Sequence, residues 1–365
     1  MAYSVTLQPS GHRYEVPEGK SILSAGLEAG NFMPYSCKQG VCNSCKGHIV
    51  EGRVDYGDSH PAYFSDADRA AGLALLCQSK PLTDCVIEVK EIEGIAGIKP
   101  KIVPCRVTGL NLLATDVMHL RVRLPMNENM LFISGQYVDF MFKDGTRRSY
   151  SIANPHAVEG VRALEFHIRH TPGGAFTDKL FGSGVKAGEV MRFEGPLGSF
   201  HLRNSGKPAV FVASGTGFGP IKAMLEFALS HGDTRPLTLY WGCRSKPDLY
   251  QFDLPHEWAR AHPNFTYVPV LSEALPEDGW SGRTGFVHRA VMADFPDLSA
   301  HQVYACGAPV VVDAARRDFA AHCRLPEDEF FADSFLTAAD LAHGAAAAQL
   351  TAQPAAQATA QATAA

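Results

Sequence analysis

Three thiols crowd one short stretch, Cys37-Lys-Gln-Gly-Val-Cys42-Asn-Ser-Cys45, and a fourth, Cys77, follows after a gap of thirty-one residues. Four thiolates in the pattern C-x4-C-x2-C…C are the ligand set of a [2Fe–2S] cluster, whose chemistry is one-electron transfer. The spacing has a geometric reason. A tight loop around two irons offers three ligands from neighbouring positions, and a distant segment closes the site. Gly40 permits close backbone approach and a positive φ. The N–H groups of the loop then point at the sulfurs, as they do toward anions in a backbone nest. Zinc is the competing metal, but zinc sites join two short Cys or His pairs, and Cys77 has no such neighbour.

A second chemistry-bearing stretch is Gly215-Thr216-Gly217-Phe218-Gly219-Pro220. It follows the fully apolar run Ala209–Ala213 and precedes an expected helix over Ile221–Ser230 and a strand over Leu237–Trp241. A glycine-rich loop between a strand end and a helix start is where a dinucleotide pyrophosphate binds. The loop lacks the Gly-Lys-[ST] ending of a P-loop and is not a strict G-x-G-x-x-G. Further strands are expected at Phe265–Val270 and at Gln302–Ala305, the latter running into Cys306-Gly307-Ala308-Pro309.

Composition bounds the rest. A chain of 365 residues is too long for one core, so two or three domains are expected. Hydrophobic content of 46% with 19% charged residues is that of a soluble globular protein. A net charge of -5 argues against a nucleic-acid footprint. No apolar run approaches the ~18 residues of a membrane span, and the opening MAYSVTLQPS shows no basic-then-apolar leader. A reducing cytoplasm, where thiols stay free for metal, is the expected location. Cys85, Cys105, Cys243 and Cys323 receive no role, and small buried hydrophobes are their ordinary use.

The elements that must position these residues fall into blocks. In the first, Val5–Leu7 and Tyr14–Val16 alternate like two strands around a turn at Ser10-Gly11-His12, and Ser21 is placed to cap a helix through Ala29. Asp66–Ala71 suggests a short helix and Val86–Val89 a closing strand. Residues 1–90 carry eight basic and ten acidic side chains, a net of −2. That weak field suits a carrier tethered to its own donor, where effective concentration replaces long-range steering. Gly94, Gly97 and Pro100 mark a linker. Six short strands follow, at Ile102–Val107, His119–Leu124, Tyr137–Met141, Arg148–Ile152, Leu164–Ile168 and Val190–Glu194, as in a closed antiparallel barrel. Pro172, Gly173 and Gly174 make a turn from which Thr177 starts a helix Asp178–Phe181, and helix-start N–H groups with a threonine hydroxyl form an anion site. Gly195-Pro196-Leu197-Gly198 reads as a turn. The run after Ala338 is Ala, Gln and Thr with no amphipathic stripe, expected to be disordered.

The first block, with Pro34-Tyr35-Ser36 before the cysteine loop and Cys77-Gln78 and Pro81 after it, resembles the plant-type ferredoxin domain. Arg148-Ser149-Tyr150-Ser151 resembles the R-x-Y-[ST] flavin motif of the ferredoxin–NADP reductase superfamily. Together the three sets of motifs resemble the NADH-dependent iron–sulfur flavoprotein reductases with an N-terminal cluster. RSYSIAN, HIRHTPGGAFTD and SGTGFGPIKAMLE point within that family to the CDP-6-deoxy-delta-3,4-glucoseen reductases, with aromatic-oxygenase reductases sharing the layout.

The resemblance implies a multidomain chain: an α+β ferredoxin of the β-grasp type at 1–92, a linker at 93–100, an FAD-binding antiparallel β-barrel at 101–203, an α/β doubly wound NAD(P)-binding domain at 204–336, and a tail at 337–365. It implies that Arg148, Tyr150, His167, Arg169, Gly173, Gly174 and Thr177 hold FAD. Ser151 and Cys306 would orient hydride transfer, Gly215, Thr216, Gly217 and Gly307 would hold the nicotinamide dinucleotide, and Phe335 or Phe331 would shield the flavin. These roles suit the residue types, since an arginine fork pairs with phosphate and a tyrosine ring stacks on a flavin face. The implied donor is NADH. Arg244 and Lys246 would favour NADPH, however, and Asp248 would oppose it. The implied partner is an electron-acceptor protein, a dehydratase or an oxygenase component, with no nucleic acid and no membrane.

Overall fold

The computed structural model describes residues 2–59, 63–92 and 98–335. The expected linker lies largely, and the Ala/Gln/Thr-rich tail wholly, outside the described residues. Two compact units emerge: residues up to 33 with 37–91, and Pro34–Ser36 with Ile92–Phe335.

In the first unit, β1 (Ala2–Gln8) and β2 (Arg13–Pro17) pair antiparallel, as their alternating apolar residues require. Ser21 caps α1 (Ile22–Glu28) by accepting the Ser24 N–H at 3.2 Å. Then come β3 (Lys46–Glu51), β4 (Val54–Asp55), α2 (Asp66–Ala70), β5 (Leu73–Leu75), β6 (Lys80–Pro81) and β7 (Cys85–Glu88). The five-stranded sheet runs β2-β1-β7-β3-β5, with β1 and β7 parallel, and β4 pairs separately with β6. Val5, Leu7, Ile22, Leu75, Leu76 and Ile87 fill the core. The first turn of α1 is pinned where the fourth cysteine lies: Ile22 N–H donates to Ser79 O and Leu23 N–H to Leu76 O, at 3.0 and 2.9 Å.

The second unit begins with six antiparallel strands: β8 (Lys101–Ala114), β9 (Val117–Arg123), β10 (Tyr137–Met141), β11 (Arg147–Ser151), β12 (Ala163–Arg169) and β13 (Val190–Leu197), with α3 (Ala175–Phe181) before the last. Their order is β11-β10-β13-β8-β9-β12. The end strands meet through one backbone bond just past β11, Ala153 N–H to Glu165 O at 2.8 Å. Phe140, Phe166 and Phe193 are fully buried and pack edge-on inside.

Two local readings need correction. The helix does not start at Thr177: it begins at Ala175 with Gly174 at its N-cap. Thr177 lies buried in its first turn, with its hydroxyl donating back to Thr171 O at 2.8 Å. Gly195–Leu197 is not a turn either, because β13 continues through it and pairs Leu197 with Tyr137; the chain turns only at Gly198, at φ 86°.

The unit continues with β14 (Ala209–Ser214), α4 (Phe218–Ser230), β15 (Leu237–Cys243), α5 (Asp253–Ala261), β16 (Phe265–Leu271), β17 (Arg283–Thr284), α6 (Val287–Asp294), β18 (Gln302–Gly307), α7 (Pro309–His322) and β19 (Phe330–Ser334). All strands are parallel, in the order β17-β16-β15-β14-β18-β19. Helices cover both faces, which is why β14 and β18 are apolar and buried along almost their whole length. The chain leaves β14 toward β15 on one side and returns as β18 on the other. The topological switch point therefore lies between the C-terminal ends of β14 and β18, where such sheets bind ligands.

Candidate functional site

The cysteine loop is built as its spacing requires. Gly40 takes φ 76°, and Lys38 and Asn43 are also left-handed at 55° and 58°. For non-glycine residues that conformation costs ~1 kcal/mol or more, so the loop stores some strain. The return is a ring of inward amides. Gln39 N–H donates to Cys37 Sγ at 3.3 Å, and the amides of Val41, Ser44 and Gly40 stabilise negative charge on Cys37, Cys42 and Cys77 respectively. Among the described residues no group of three or more His, Cys, Asp or Glu is arranged to hold a metal ion. The thiols meet instead as two hydrogen-bonded pairs. The bond from Cys37 pulls Cys42 down while Cys37 is pushed up, and Cys45 and Cys77 divide in the same way. Four clustered thiols inside an amide ring would fit the thiolate ligand set of a binuclear cluster.

Gln78 is a neighbour the spacing did not reveal. Its Nε2 donates to Lys38 O at 3.0 Å and to Cys77 Sγ at 3.7 Å, joining the fourth cysteine to the loop that carries the first. A side chain at position 40 would sit 2.8 Å from its Cγ, so Gly40 makes room for it. Hydrogen bonds to ligand sulfurs stabilise the more negative, reduced cluster. Gln78→Leu is therefore expected to lower the cluster potential by about 40 mV, roughly one hydrogen bond's worth at 59 mV per tenfold. An EPR-monitored redox titration checks this, and an unchanged midpoint would show that the amide is not sensed.

On β11, the Arg148 side chain is exposed and Tyr150 and Ser151 are half-buried. The Tyr150 ring leans on Phe140 and Phe176 at 6.1 and 5.6 Å, and burial holds its phenol neutral. Gly174 gives α3 no side-chain cap, leaving helix-start amides for an anion, while Gly173 takes φ 81°. The Thr177 hydroxyl shapes that turn from within. The His167 imidazole is buried and neutral, with Nδ1 3.0 Å from Tyr250 Oη and the ring edge-on to His119. Its other ring nitrogen, Nε2, is buried without a hydrogen-bond partner.

Arg169 reaches further than expected. Its guanidinium lies 3.7–3.8 Å from where a side chain on Gly215 would begin, beside the glycine-rich loop. Asp116 and Asp248 flank it at 3.4 and 3.9 Å, yet its buried Nε and Nη2 make no hydrogen bond. Buried donors of this kind, aimed across a glycine loop, suit a phosphate.

The loop itself is braced from below. Trp241 Nε1 donates to Gly215 O at 3.0 Å, and the indole stacks on Phe218 at 3.9 Å and 13°. Gly217 packs on the Cys306 carbonyl, and Gly307, at φ 135°, packs on Ser214. The ends of β14 and β18 thus interlock, with Thr216 half-buried between them. The Cys306 thiol is buried and pushed well up, first by desolvation and then by Asp333, its ladder neighbour on β19, so it is a neutral thiol. Phe335 N–H donates to Gly307 O at 2.9 Å, setting that aromatic at the same loop. Phe331, half-buried against the same core as Phe335, stacks on Tyr304 at 4.9 Å beneath Arg203. Residues that can hold a flavin and a nicotinamide dinucleotide are therefore present, although sequence alone did not single out Trp241, Tyr250 or Asp333.

A thiol-lined cluster loop, an antiparallel sheet with an arginine–tyrosine strand and a parallel sheet with a glycine loop define a flavin-dependent electron-transfer reductase. The comparisons agree. Residues 5–82 match the 2Fe-2S iron-sulfur cluster binding domain, 104–202 the oxidoreductase FAD-binding domain, and 211–317 the oxidoreductase NAD-binding domain. The chain is 39% identical over 336 residues to the CDP-6-deoxy-L-threo-D-glycero-4-hexulose-3-dehydrase reductase of Yersinia pestis, covering 92% of this chain and 99% of that protein. It is 36% identical over 354 residues to the phenol 2-monooxygenase reductase component DmpP of Pseudomonas sp. (strain CF600), covering 93% and 96%. The crystal structure of the Amycolatopsis cytochrome P450 reductase GcoB superposes with a TM-score of 0.73 at 34% identity, over 91% of this chain and 98% of that one. The chain belongs to the NAD(P)H-dependent iron–sulfur flavoprotein reductases, in which a [2Fe–2S] domain precedes FAD- and NAD-binding domains. Among the described residues no helix is long and apolar enough to cross a membrane.

Proposed function

We propose that this reductase takes its electrons from NADH and delivers them to a dehydrase of a CDP-deoxysugar pathway, in the cytoplasm. The observation that carries this reading is the near full-length likeness to the Yersinia dehydrase reductase across all three domains. When bound, the flavin takes two electrons as hydride and the cluster passes them on singly. The chain's own residues bind and orient. Arg148 and the start of α3 hold the flavin phosphates, Tyr150 lines its ring, and Ser151 offers a hydroxyl at the hydride-accepting edge. Gly215, Thr216 and Gly217, with Arg169 across from them, hold the dinucleotide pyrophosphate, and Cys306 and Gly307 border the nicotinamide. Cys37, Cys42, Cys45 and Cys77 hold the cluster.

NADH is favoured over NADPH by what surrounds the end of β15. Asp248 accepts from Ser245 N–H at 3.1 Å and lies 4.0 Å from Arg244, while Lys246 Nζ donates to Asp278 O at 3.4 Å. Both cations that would meet a 2′-phosphate thus have other partners, and a fixed carboxylate faces the region, as ribose hydroxyls prefer.

The acceptor is tested by mixing the enzyme and NADH with a sugar-loaded CDP-hexulose dehydrase or with a phenol hydroxylase component. Sugar-dependent NADH consumption with the dehydrase alone is expected. Consumption coupled only to the hydroxylase would replace this reading by the second one, an oxygenase reductase, which the DmpP likeness supports.

A further inference from the structure

Lys222 sits where helix physics disfavours a lysine. It is the fifth residue of α4, close to the positive end of the helix dipole, and it is only 7% exposed. Its intrahelical partner is Glu226, with Nζ 2.8 Å from the carboxylate. A Lys-to-Glu order along a helix is the weaker of the two i,i+4 orientations. Burying an ammonium costs several kcal/mol unless its partners are good. Local stability of α4 is therefore a poor reason for this residue.

The other contact of the ammonium supplies a better one. Nζ also donates to Ala153 O at 3.2 Å, inside the protein. Ala153 lies two residues beyond Ser151, and its own N–H makes the bond to Glu165 O that joins β11 to β12. The neighbouring Asn154 Oδ1 accepts the Glu165 N–H at 2.9 Å. The Glu165 side chain is held by His119 at 3.2 Å, and His167 beside it packs near Gly219 of α4. One residue, Ala153, thus carries the seam of the barrel on its N–H and a tie to the helix that starts at the dinucleotide loop on its carbonyl, just past the end of the flavin strand.

We propose that Lys222 is a positioning residue for hydride transfer, its ammonium fixing the separation between the flavin strand, through Ala153, and the dinucleotide loop at the head of α4. Lys222 touches neither cofactor. It acts through Ala153 on Ser151 and through α4 on Gly215–Gly217. Nucleotide affinity comes from the loop and Arg169, so loss of the tie alters the geometry of the transfer and leaves binding nearly intact. A misplacement of about 1 Å is enough to cost 10²-fold in such a step. The inference rests on the hydride-accepting half of the reaction and is independent of which protein receives the electrons.

The test compares K222M and K222R with the native enzyme in anaerobic stopped-flow reduction of the FAD-loaded protein by NADH. For K222M a fall of about 10- to 100-fold in the limiting rate is expected, with apparent NADH affinity within about threefold, and K222R should recover much of the loss. In the FAD-free protein, hydrogen exchange of the Ala153 amide should quicken in K222M while amides in the second half of α4 keep their protection. If K222M loads too little FAD, K222R and K222Q decide: the rate must follow their ability to donate to the carbonyl. A normal limiting rate in K222M, or equal losses in K222M and K222R, would overturn the proposal. So would weakened NADH binding with the limiting rate preserved, or unchanged exchange at Ala153.

Discussion

Alanine at Gly217 is expected to lower NADH-driven flavin reduction by about 100-fold, the scale of a ~1 Å misplacement at a reacting centre. A Cβ there would overlap the Cys306 carbonyl and lie 2.7 Å from Gly307 N. Both are backbone at the end of a central strand, so neither yields as a side-chain tip would. Gly307 has no slack, because its own missing Cβ faces Ser214. The β14 and β18 ends must separate, and the dinucleotide loop moves away from Cys306. Steady-state kinetics with ferricyanide as acceptor isolate this half of the reaction, and a melting curve separates it from unfolding. Gly206→Ala, where a Cβ meets nothing within 4 Å, is the control expected to match native rates. Native kinetics in G217A would mean that the interlocked loops do not set the nicotinamide site.

Serine at Cys77 is expected to divide the activity in two. In the proposed ligand set Cys77 is the member from outside the loop, held because Leu76 N–H donates to Cys45 O at 3.0 Å and the start of α1 is tied to Leu76 and Ser79. A hydroxyl there is a far poorer iron ligand than a thiolate. Iron and acid-labile sulfide should fall below half of the native content, and cytochrome c reduction by about 100-fold, whereas ferricyanide reduction should stay within about threefold, since Cys77 lies outside the FAD- and NAD-binding domains. Cys105→Ser, at a buried position on β8 outside the four-cysteine pattern, should keep its full iron content. Retention of cytochrome c reduction in C77S would remove Cys77 from the ligand set.

Local patterns carried much of this architecture. The left-handed Gly40, the Ser21 cap, all six barrel strands and the apolar run of β14 follow from short-range periodicity, glycine geometry and capping chemistry. Where the expectations failed, a competing interaction lay nearby in space. Thr177 has the side chain of a helix cap, but a glycine ahead of it took that role and Thr171 took its hydroxyl. Gly195-Pro196 reads as a breaker, yet pairing of Leu197 with Tyr137, sixty residues away, keeps the strand going. The site was legible in its backbone-shaping glycines and its thiols. It was not legible in Gln78, Trp241, Tyr250 or Lys222, whose roles come from contacts across 26 to 83 residues of chain, which no periodicity encodes. Arg169 was expected to hold FAD, and its guanidinium also comes within 3.8 Å of a Cβ built on Gly215, because β12 ends beside the glycine loop.

The most direct test of the whole account is an anaerobic titration with NADH, followed by visible absorption and by EPR, with a matched NADPH sample. Loss of the flavin and iron–sulfur bands together, with a reduced-cluster EPR signal and a much slower response to NADPH, is the predicted result. Flavin bleaching with an oxidised cluster, or no bleaching by either nucleotide, would contradict it.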